Sequence, residues 1–279
     1  MTLLECRGNG PFEEAGYIEA SATHEGSVPV VVDVGPARLT LLRANDGSMH
    51  TVYGYPHPVG QVSERDLIEL AEVLALSPRP LRVALSPEGC GALLAQCLRH
   101  RVPVVDERLI GIADLDGDPL DTFQPKARAM VRRALRHGVS AQVGPVTPDF
   151  GVFYRRAMRV VRAGPLYHFG DPYFAVLARA GAFQVTARDA HGVSAAAIFL
   201  ARGADASYHL SASRAEPRPE AGSVNLVVLE GLRECARRGA VICMLGGGTT
   251  AAPDDTLLRF KASMATRTLR RPTFQRGAV

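Results

Sequence analysis

The chain has 279 residues, enough for one large domain or two small ones whose core needs no staples. No apolar run approaches the roughly 18 residues needed to cross a bilayer, and residues 1–10, with Glu5, Arg7 and Asn9, lack the apolar stretch of a secretory signal. The formal charge of +4 is uneven: residues 1–110 carry nine Arg against fourteen Asp/Glu, a net of −5, and residues 111–279 carry 23 Lys/Arg against fourteen Asp/Glu, a net of +9.

That asymmetry points the second part at an anion, whether phosphates, a nucleotide-bearing cofactor or RNA, with plain solvated surface as the other reading. Of 32 basic residues only Lys126 and Lys261 are lysines. A lysine kept in so arginine-rich a chain hints at a need for an ammonium, because the two side chains are not interchangeable. The five cysteines (Cys6, Cys90, Cys97, Cys235, Cys243) are odd in number and form no CxxC pair. Neither a zinc site nor a disulfide framework is therefore expected, and a reducing cytoplasm is the expected compartment.

In chain order, residues 28–34, 37–43 and 49–54 read as strands separated by Gly35-Pro36 and Asn45-Asp46-Gly47 turns. Ser63, with Asp66 three residues on, caps a helix whose stripe is Leu67, Leu70, Ala71 and Leu74. A strand at 81–86, a helix at 89–100 and the start of a strand at 103–105 follow. Asp118 caps one helical turn with Pro119 at its first position. Pro125 opens a longer helix that closes at His137-Gly138. Arg128, Arg132 and Arg136 recur every four residues and share one face of it, away from Ala127, Met130, Val131 and Ala134. A strand at 139–144, helices from Pro148 and Pro172, strands at 182–189, 193–202 and 206–212, a helix at 222–238, a strand at 240–245, a helix at 254–265 and a strand at 267–275 complete the chain.

Several chemistries are absent: there is no GxSxG elbow, HExxH, Walker loop or EF-hand loop. Gly246 to Ala251 fits G-x-G-x-x-A after a strand, but Arg270 and Arg271 stand where a dinucleotide site needs an acid. The eight histidines show no ligand spacing, so no metal is expected.

The order of elements over 148–275 matches the GNAT acyltransferase topology, in which two neighbouring strands splay apart. Here these would be 206–212 and 240–245, with the helix from Gly222 aiming its N-terminus at a phosphate. Within that order three segments resemble the FemAB-like aminoacyltransferases: Leu115 to Val139 (DLDGDPLDTFQPKARAMVRRALRHGV), Leu245 to Gly248 (LGGG) with Asp254 to Lys261 (DDTLLRFK), and Tyr53-Gly54-Tyr55-Pro56 with Gly60. The resemblance runs from about residue 28 to 275.

It implies an α/β (α+β) fold of two GNAT-like halves with mixed, mostly antiparallel sheets flanked by helices: a reduced first domain at 1–110 and a transferase domain at 111–279. It implies transfer of an aminoacyl group from aminoacyl-tRNA to an amine, with no cofactor. Lys261 matches the family's lysine near the tRNA acceptor end, where an ammonium stabilises the oxyanion, and Phe260 matches its aromatic neighbour. Leu257 and Leu258 are expected to anchor their helix. Lys126, Arg128, Arg132 and Arg136 either contact phosphates of tRNA or substrate, or form a solvated face. Tyr55, Tyr208 and Ser211 are candidate substrate-binding residues, with ordinary packing as the alternative.

The chain is shorter than the cell-wall members and has no long heptad stretch for a helical arm. A small soluble amine or peptide, as in secondary metabolism or antibiotic biosynthesis, is therefore the expected acceptor. The rival donor is acyl-CoA, whose pyrophosphate loop is matched only loosely by Arg218 to Ser223, with Ala221 in place of glycine.

Overall fold

The computed structural model describes residues 3–5 and 10–277. Cys6 and most of the N-terminal stretch read above lie outside the described residues. The first part contains β1 (Leu3–Glu5), α1 (Ala15–Glu25), β2 (Val28–Val34), β3 (Ala37–Arg43), β4 (Met49–Thr51), β5 (Gln61–Ser63), α2 (Glu64–Ala75), β6 (Leu81–Ala84), α3 (Gly89–Arg99) and β7 (Val104–Asp114). The second contains α4 (Pro119–Thr122), α5 (Pro125–Arg136), β8 (Ser140–Pro145), α6 (Pro148–Val160), a 3-10 turn (Pro165–Tyr167), α7 (Asp171–Arg179), β9 (Phe183–Asp189), β10 (Gly192–Arg202), β11 (Asp205–Ser213), α8 (Ser223–Arg237), β12 (Ile242–Gly246), α9 (Thr256–Ala262) and β13 (Arg267–Arg276).

The helix boundaries follow the capping chemistry. Ser63 and Asp66 form the expected reciprocal capping box on α2. Asp118 accepts from Leu120 N at 3.2 Å with Pro119 at the first position of α4. Pro125 opens α5, and Gly138 follows it at φ +75°. Leu258 anchors α9 in the core, whereas Leu257, expected beside it, is 37% exposed, since consecutive helical residues point about 100° apart and only one of the two faces the core. Cys97, Cys235 and Cys243 are free, but Cys90 is disulfide-bonded. The odd number of cysteines and the absence of CxxC spacing therefore did not exclude a bond at Cys90.

Eleven strands form one mixed sheet in the order β2-β3-β4-β6-β13-β7-β12-β11-β10-β9-β8, and β1 pairs with β5 separately. The chain's last strand, β13, lies between β6 and β7 and is antiparallel to both. The division expected between residues 110 and 111 falls inside β7, which pairs β13 on one side and β12 on the other. One face of the second part's sheet packs against α5, α8 and the end of α9 through alternate residues such as Ala195, Ala197 and Phe199. The other carries α1, α6 and α7 over Ala196, Ile198 and Leu200. Helices α2 and α3 cover the first part through Leu67, Leu70 and Leu94. Among the described residues no helix is long and apolar enough to cross a membrane.

Two features position the site. The first is a parting of strands. β11 and β12 run parallel and pair through Asp205–Ile242, Ala206–Cys243 and Ser207–Met244, and the ladder stops there. Beyond it, His209 is the extra residue of a bulge against β10, and the pairing of β12 with β7 also shifts between Met244 and Gly246. The expected splay is therefore present, at the expected strands.

The second is the Gly246-Gly247-Gly248 turn. Gly246 has φ +92°, a left-handed value that disfavours any side chain. A Cβ on Gly247 would sit 2.8 Å from Leu109 O of β7, and one on Gly248 would collide with the Asp255 carboxylate. Asp255 fastens this turn to α9. Its Oδ2 accepts from the backbone N–H and hydroxyl of both Thr249 and Thr250, and its Oδ1 accepts from Leu257 N and Leu258 N at 2.9 and 3.0 Å. These donors hold its carboxyl far below the ordinary carboxylate range. A Gly247→Ala substitution forces β7 backbone to move and is expected to lower stability by about 1–3 kcal/mol. Gly117→Ala, with nothing within 4 Å of the new Cβ, should leave the urea midpoint unchanged. Equal midpoints for the two variants would refute the close-packing account.

Candidate active site

Lys261 enters the parted strands from the α9 side. Its Nζ lies 5.8 Å from the centre of the Tyr208 ring on β11. A Cβ at Gly246, the last residue of β12, would be 2.7 Å from that Nζ and 3.0 Å from the Tyr55 hydroxyl. The ammonium and the phenol therefore flank the same point at the mouth of the opening. Burial pushes the Lys261 pKa down to about 8, and the Asp255 carboxylate pulls the other way. The side chain remains half-buried rather than sealed.

Tyr208 is 6% exposed, and burial raises its pKa to about 12, an effect the Ser211 hydroxyl opposes. Residues three apart on a regular strand face opposite ways. The bulge at His209 lets Tyr208 and Ser211 meet on one face. His209 turns to the other side, where Tyr173 Oη and His209 Nε2 are 2.7 Å apart, and burial lowers its pKa to about 3, so it is a neutral packing imidazole.

Tyr55 belongs to a loop held from several directions. Arg271 of β13 donates to Leu85 O and Ala84 O, both at 2.9 Å, and to Gly54 O, and its guanidinium lies 4.9 Å over the Tyr55 ring. Tyr17 donates to Tyr53 O, Glu13 accepts from His57 N at 2.7 Å, and Ser86 N donates to Pro56 O at 2.8 Å. Gly54, at φ +119°, has the Phe12 ring where a Cβ would stand. Burial raises the Tyr55 pKa and the Arg271 charge opposes that rise.

Phe260, next to Lys261, takes a different direction. It lines a groove of about 560 Å³ at the N-terminus of α8, together with Met130, Arg133, Arg218, Glu220 and Asn225. The loop before α8 satisfies its own donors. Asp189, bound by Arg214 at 2.7 Å and held to a pKa of about 2 by that guanidinium, accepts from Glu220 N at 3.3 Å. Glu220 Oε1 accepts from Ala221 N at 3.1 Å, and Glu220 O accepts from Ser223 N at 3.1 Å and Ser223 Oγ at 2.7 Å.

The structure thus brings Lys261, Tyr208, Ser211 and Tyr55 to the strand opening and sets Phe260 in the groove on the helical side. Lys126, Arg132 and Arg136 lie exposed on the outside of α5, with no ion-pair partner among the described residues. Arg128 turns back to Asp121 O at 3.0 Å. The α5 arginine in the groove is Arg133, which sequence reasoning did not single out. Arg271 was also missed as part of the site: its contacts reach residues 186 and 217 positions away, and no local pattern marks it. Asp255 was missed as a cap, because the helix was expected to begin at 254, whereas it begins at Thr256 with Asp255 as its N-cap; its hold on the two threonines was not legible either.

No family model and no curated protein matches this chain. Solved structures do. FemX superposes with a TM-score of 0.65 at 13% identity over 92% of this chain and 90% of that one. The C-terminal domain of a putative lysylphosphatidylglycerol synthetase from Agrobacterium fabrum gives 0.61 at 16% identity over 95% and 88%. A tandem GNAT protein from the clavulanic acid biosynthesis pathway gives 0.51 at 16% identity over 95% and 88%. At these identities the likeness is one of fold: this chain has the tandem GNAT-like fold of the FemAB-like aminoacyltransferases.

Proposed function

We propose that the protein forms an amide bond by moving an aminoacyl group from the terminal ester of an aminoacyl-tRNA to the amine of a small molecule or peptide. The observation that carries this reading is Lys261: an ammonium placed between two parted strands, beside Tyr55 and the Gly246 backbone. In the reaction the amine nitrogen attacks the ester carbonyl, the new N–C bond forms, the C–O bond to the ribose breaks, and the proton lost by the amine ends on the ribose oxygen. Negative charge gathers on the carbonyl oxygen in between, and a pre-placed cation in a partly dry site stabilises it. The ester is already activated, so the chemistry asks for no protein nucleophile and no cofactor.

The unpaired backbone groups of the diverging β11 and β12 would hold the acyl arm, with Tyr208 and Ser211 on the wall. Phe260 and Arg133 would take the terminal nucleotides in the groove, and Lys126, Arg132 and Arg136 would meet phosphates farther along α5. A small soluble acceptor in secondary metabolism fits the absence of a long helical arm among the described residues, where α8, with 15 residues, is the longest helix. Against an acyl-CoA donor stands the loop before α8: Asp189 and Glu220 occupy backbone donors that a pyrophosphate would need, and Glu220 adds negative charge there.

Lys261→Ala should fold normally and lose about 10²–10³ in kcat. Lys261→Arg should recover only part of it, because a wide planar guanidinium does not replace a point charge at that spot. A near wild-type rate for a folded Lys261→Ala protein would remove Lys261 from the mechanism.

The pH dependence has a definite sign. The ammonium is present below a pKa of about 8 and lost above it, so kcat should fall as pH rises through 8, and Lys261→Arg should abolish that limb. A rate that instead climbs through the same pKa would make Lys261 a base. Because the folded pKa lies below the ordinary lysine value of 10.5, the folded state binds fewer protons between the two, and stability should rise with pH across that window.

Binding of charged tRNA should weaken steeply with salt, since each neutralised phosphate releases counterions. Replacing Lys126, Arg132 and Arg136 by Gln should flatten the plot of log affinity against log salt. Salt-independent binding, or turnover that requires a CoA thioester, would transfer the assignment to an acyl-CoA N-acyltransferase.

A further inference from the structure

The loop that carries Tyr55 is gripped by a pair of buried titratable groups. His57, two residues after Tyr55, donates its backbone N–H to Glu13 Oε1 at 2.7 Å. The other carboxylate oxygen, Oε2, stands 3.4 Å from His57 Nε2, and the two side chains are only 9% and 11% exposed. Across the ring, His57 Nδ1 lies 2.9 Å from Pro58 O. Oε2 and Nε2 are both sealed from solvent, and neither has another hydrogen-bond partner. Gly10 lies against them: a Cβ there would be 2.8 Å from Oε2, 3.1 Å from Nε2 and 3.7 Å from Asp205 Oδ2 of β11.

Counting protons defines the state of this pair. Pro58 O can only accept, so Nδ1 carries a proton when it is held there. Nε2 then presents a lone pair, or a second N–H if the ring is an imidazolium. Facing it is Oε2, which accepts when ionised and donates when protonated. The contact therefore closes with one proton between Oε2 and Nε2, on either atom. Without that proton two lone pairs face each other out of reach of water, and buried unpaired acceptors are costly. Moving the ring proton from Nδ1 to Nε2 gives no relief, because it leaves Nδ1 and Pro58 O opposed instead. The surroundings favour retention of the proton. Burial raises the Glu13 pKa above the ordinary carboxylate value and the Asp205 carboxylate adds to the rise, while the His57 ring and its backbone N–H oppose it. Tyr17 of α1 also faces the Glu13 charge, and Glu14 is taken up by Arg202 of β10 at 2.8 Å.

We propose that Glu13 and His57 are positioning residues, a clasp that holds the Tyr55 loop to the segment before α1 only while the pair shares a proton. When rising pH removes that proton, the carboxylate and the ring repel and the loop loosens. The clasp itself stands without the transferase reading. Its consequence for turnover rests on that reading: a loosened Tyr55 would raise KM for the acceptor and leave the Lys261 step intact.

The test needs no substrate and uses the full chain. Glu13→Gln keeps the shape, accepts from His57 N and donates an amide N–H to Nε2 at every pH. The folded wild type keeps a proton above the ordinary carboxyl value of 4.5, so it binds more protons there than the unfolded chain does, and its stability falls as pH rises through that window. The urea midpoints of the two proteins should therefore coincide near about pH 5, and that of the wild type should drop below that of Glu13→Gln by about pH 9. Contributions from Lys261 cancel, since both proteins carry it. Over the same range the amides of residues 53–60, corrected for intrinsic exchange, should lose at least about tenfold in hydrogen-exchange protection in the wild type and less than about twofold in the variant. Should Glu13→Gln not fold, ring-nitrogen NMR of the wild type decides: Nδ1 of His57 stays protonated, and its Nε2 resonance moves at the pH where the 53–60 amides lose protection. Parallel midpoint curves, a Glu13→Gln protein less stable than the wild type at every pH, or wild-type protection that does not change with pH overturns the proposal.

Discussion

The parting of β11 from β12 is the constraint on which the rest of the structure depends. A parallel ladder of three pairs followed by divergence leaves backbone donors and acceptors without a strand partner in the middle of an eleven-stranded sheet. Such groups normally find partners. β11 remains paired to β10 and β12 to β7, so the gap cannot close by local fraying. The bulge at His209 and the register shift before Gly246 bend the two strands apart, and the glycine turn lets α9 come close enough to insert Lys261. Asp255 fixes that approach by taking donors from both the turn and the helix. One carboxylate thus couples the end of β12 to the helix that carries the ammonium.

The second requirement is that the loop carrying Tyr55, contributed by the first part of the chain, stay in register with a lysine contributed by the second. The sheet provides this. β13 follows α9 directly, yet it lies between β6 and β7, so the segment after Lys261 is stitched into the first part's strands. Arg271 lies on that strand and binds the carbonyls of Ala84, Leu85 and Gly54 while covering Tyr55. A buried guanidinium held mainly by carbonyls carries a desolvation cost, seen in its lowered pKa. A methionine would fill similar space without that cost, but it would release the Gly54 carbonyl and remove the positive charge from beside the Tyr55 phenol.

The sequence carried much of this and hid the rest for identifiable reasons. The order of elements from α6 to β13 was legible because proline starts, glycine stops and strong apolar stripes mark each one, and it led to the splayed pair. α1 was not legible: its sequence AGYIEASATHE is dominated by small and polar residues, and it buries Tyr17, Ala20, Ser21 and Ala22 only because α7 lies against it. β7 was seen only at its start, because Asp106, Glu107 and Arg108 interrupt the apolar pattern, yet it runs to Asp114 with strands on both sides. At the site, Lys261 and Tyr55 could be picked out from motifs, and Tyr208 and Ser211 from their place on the splayed strand. The arginine repeat of α5 followed helical spacing, but that spacing does not say which arginine faces a groove. Packing of α5 on α8 chose Arg133.

In the role proposed for it, Lys261 is subject to two opposing demands, and the structure meets both. An ammonium stabilises a neighbouring oxyanion most strongly where water is excluded, but exclusion of water favours the neutral amine. Full burial with no compensating charge would deprotonate it and remove the attraction that the proposed role requires. Full exposure would keep the charge and let water screen it. Asp255 lies near enough to oppose the loss of the proton, while its own oxygens are occupied by backbone and threonine donors and so do not form an ion pair with the lysine. The Tyr208 ring offers its face at a distance that favours a cation without neutralising it. The result is a lysine near the edge of ionisation, charged at neutral pH and without a carboxylate partner that an incoming oxyanion would have to displace.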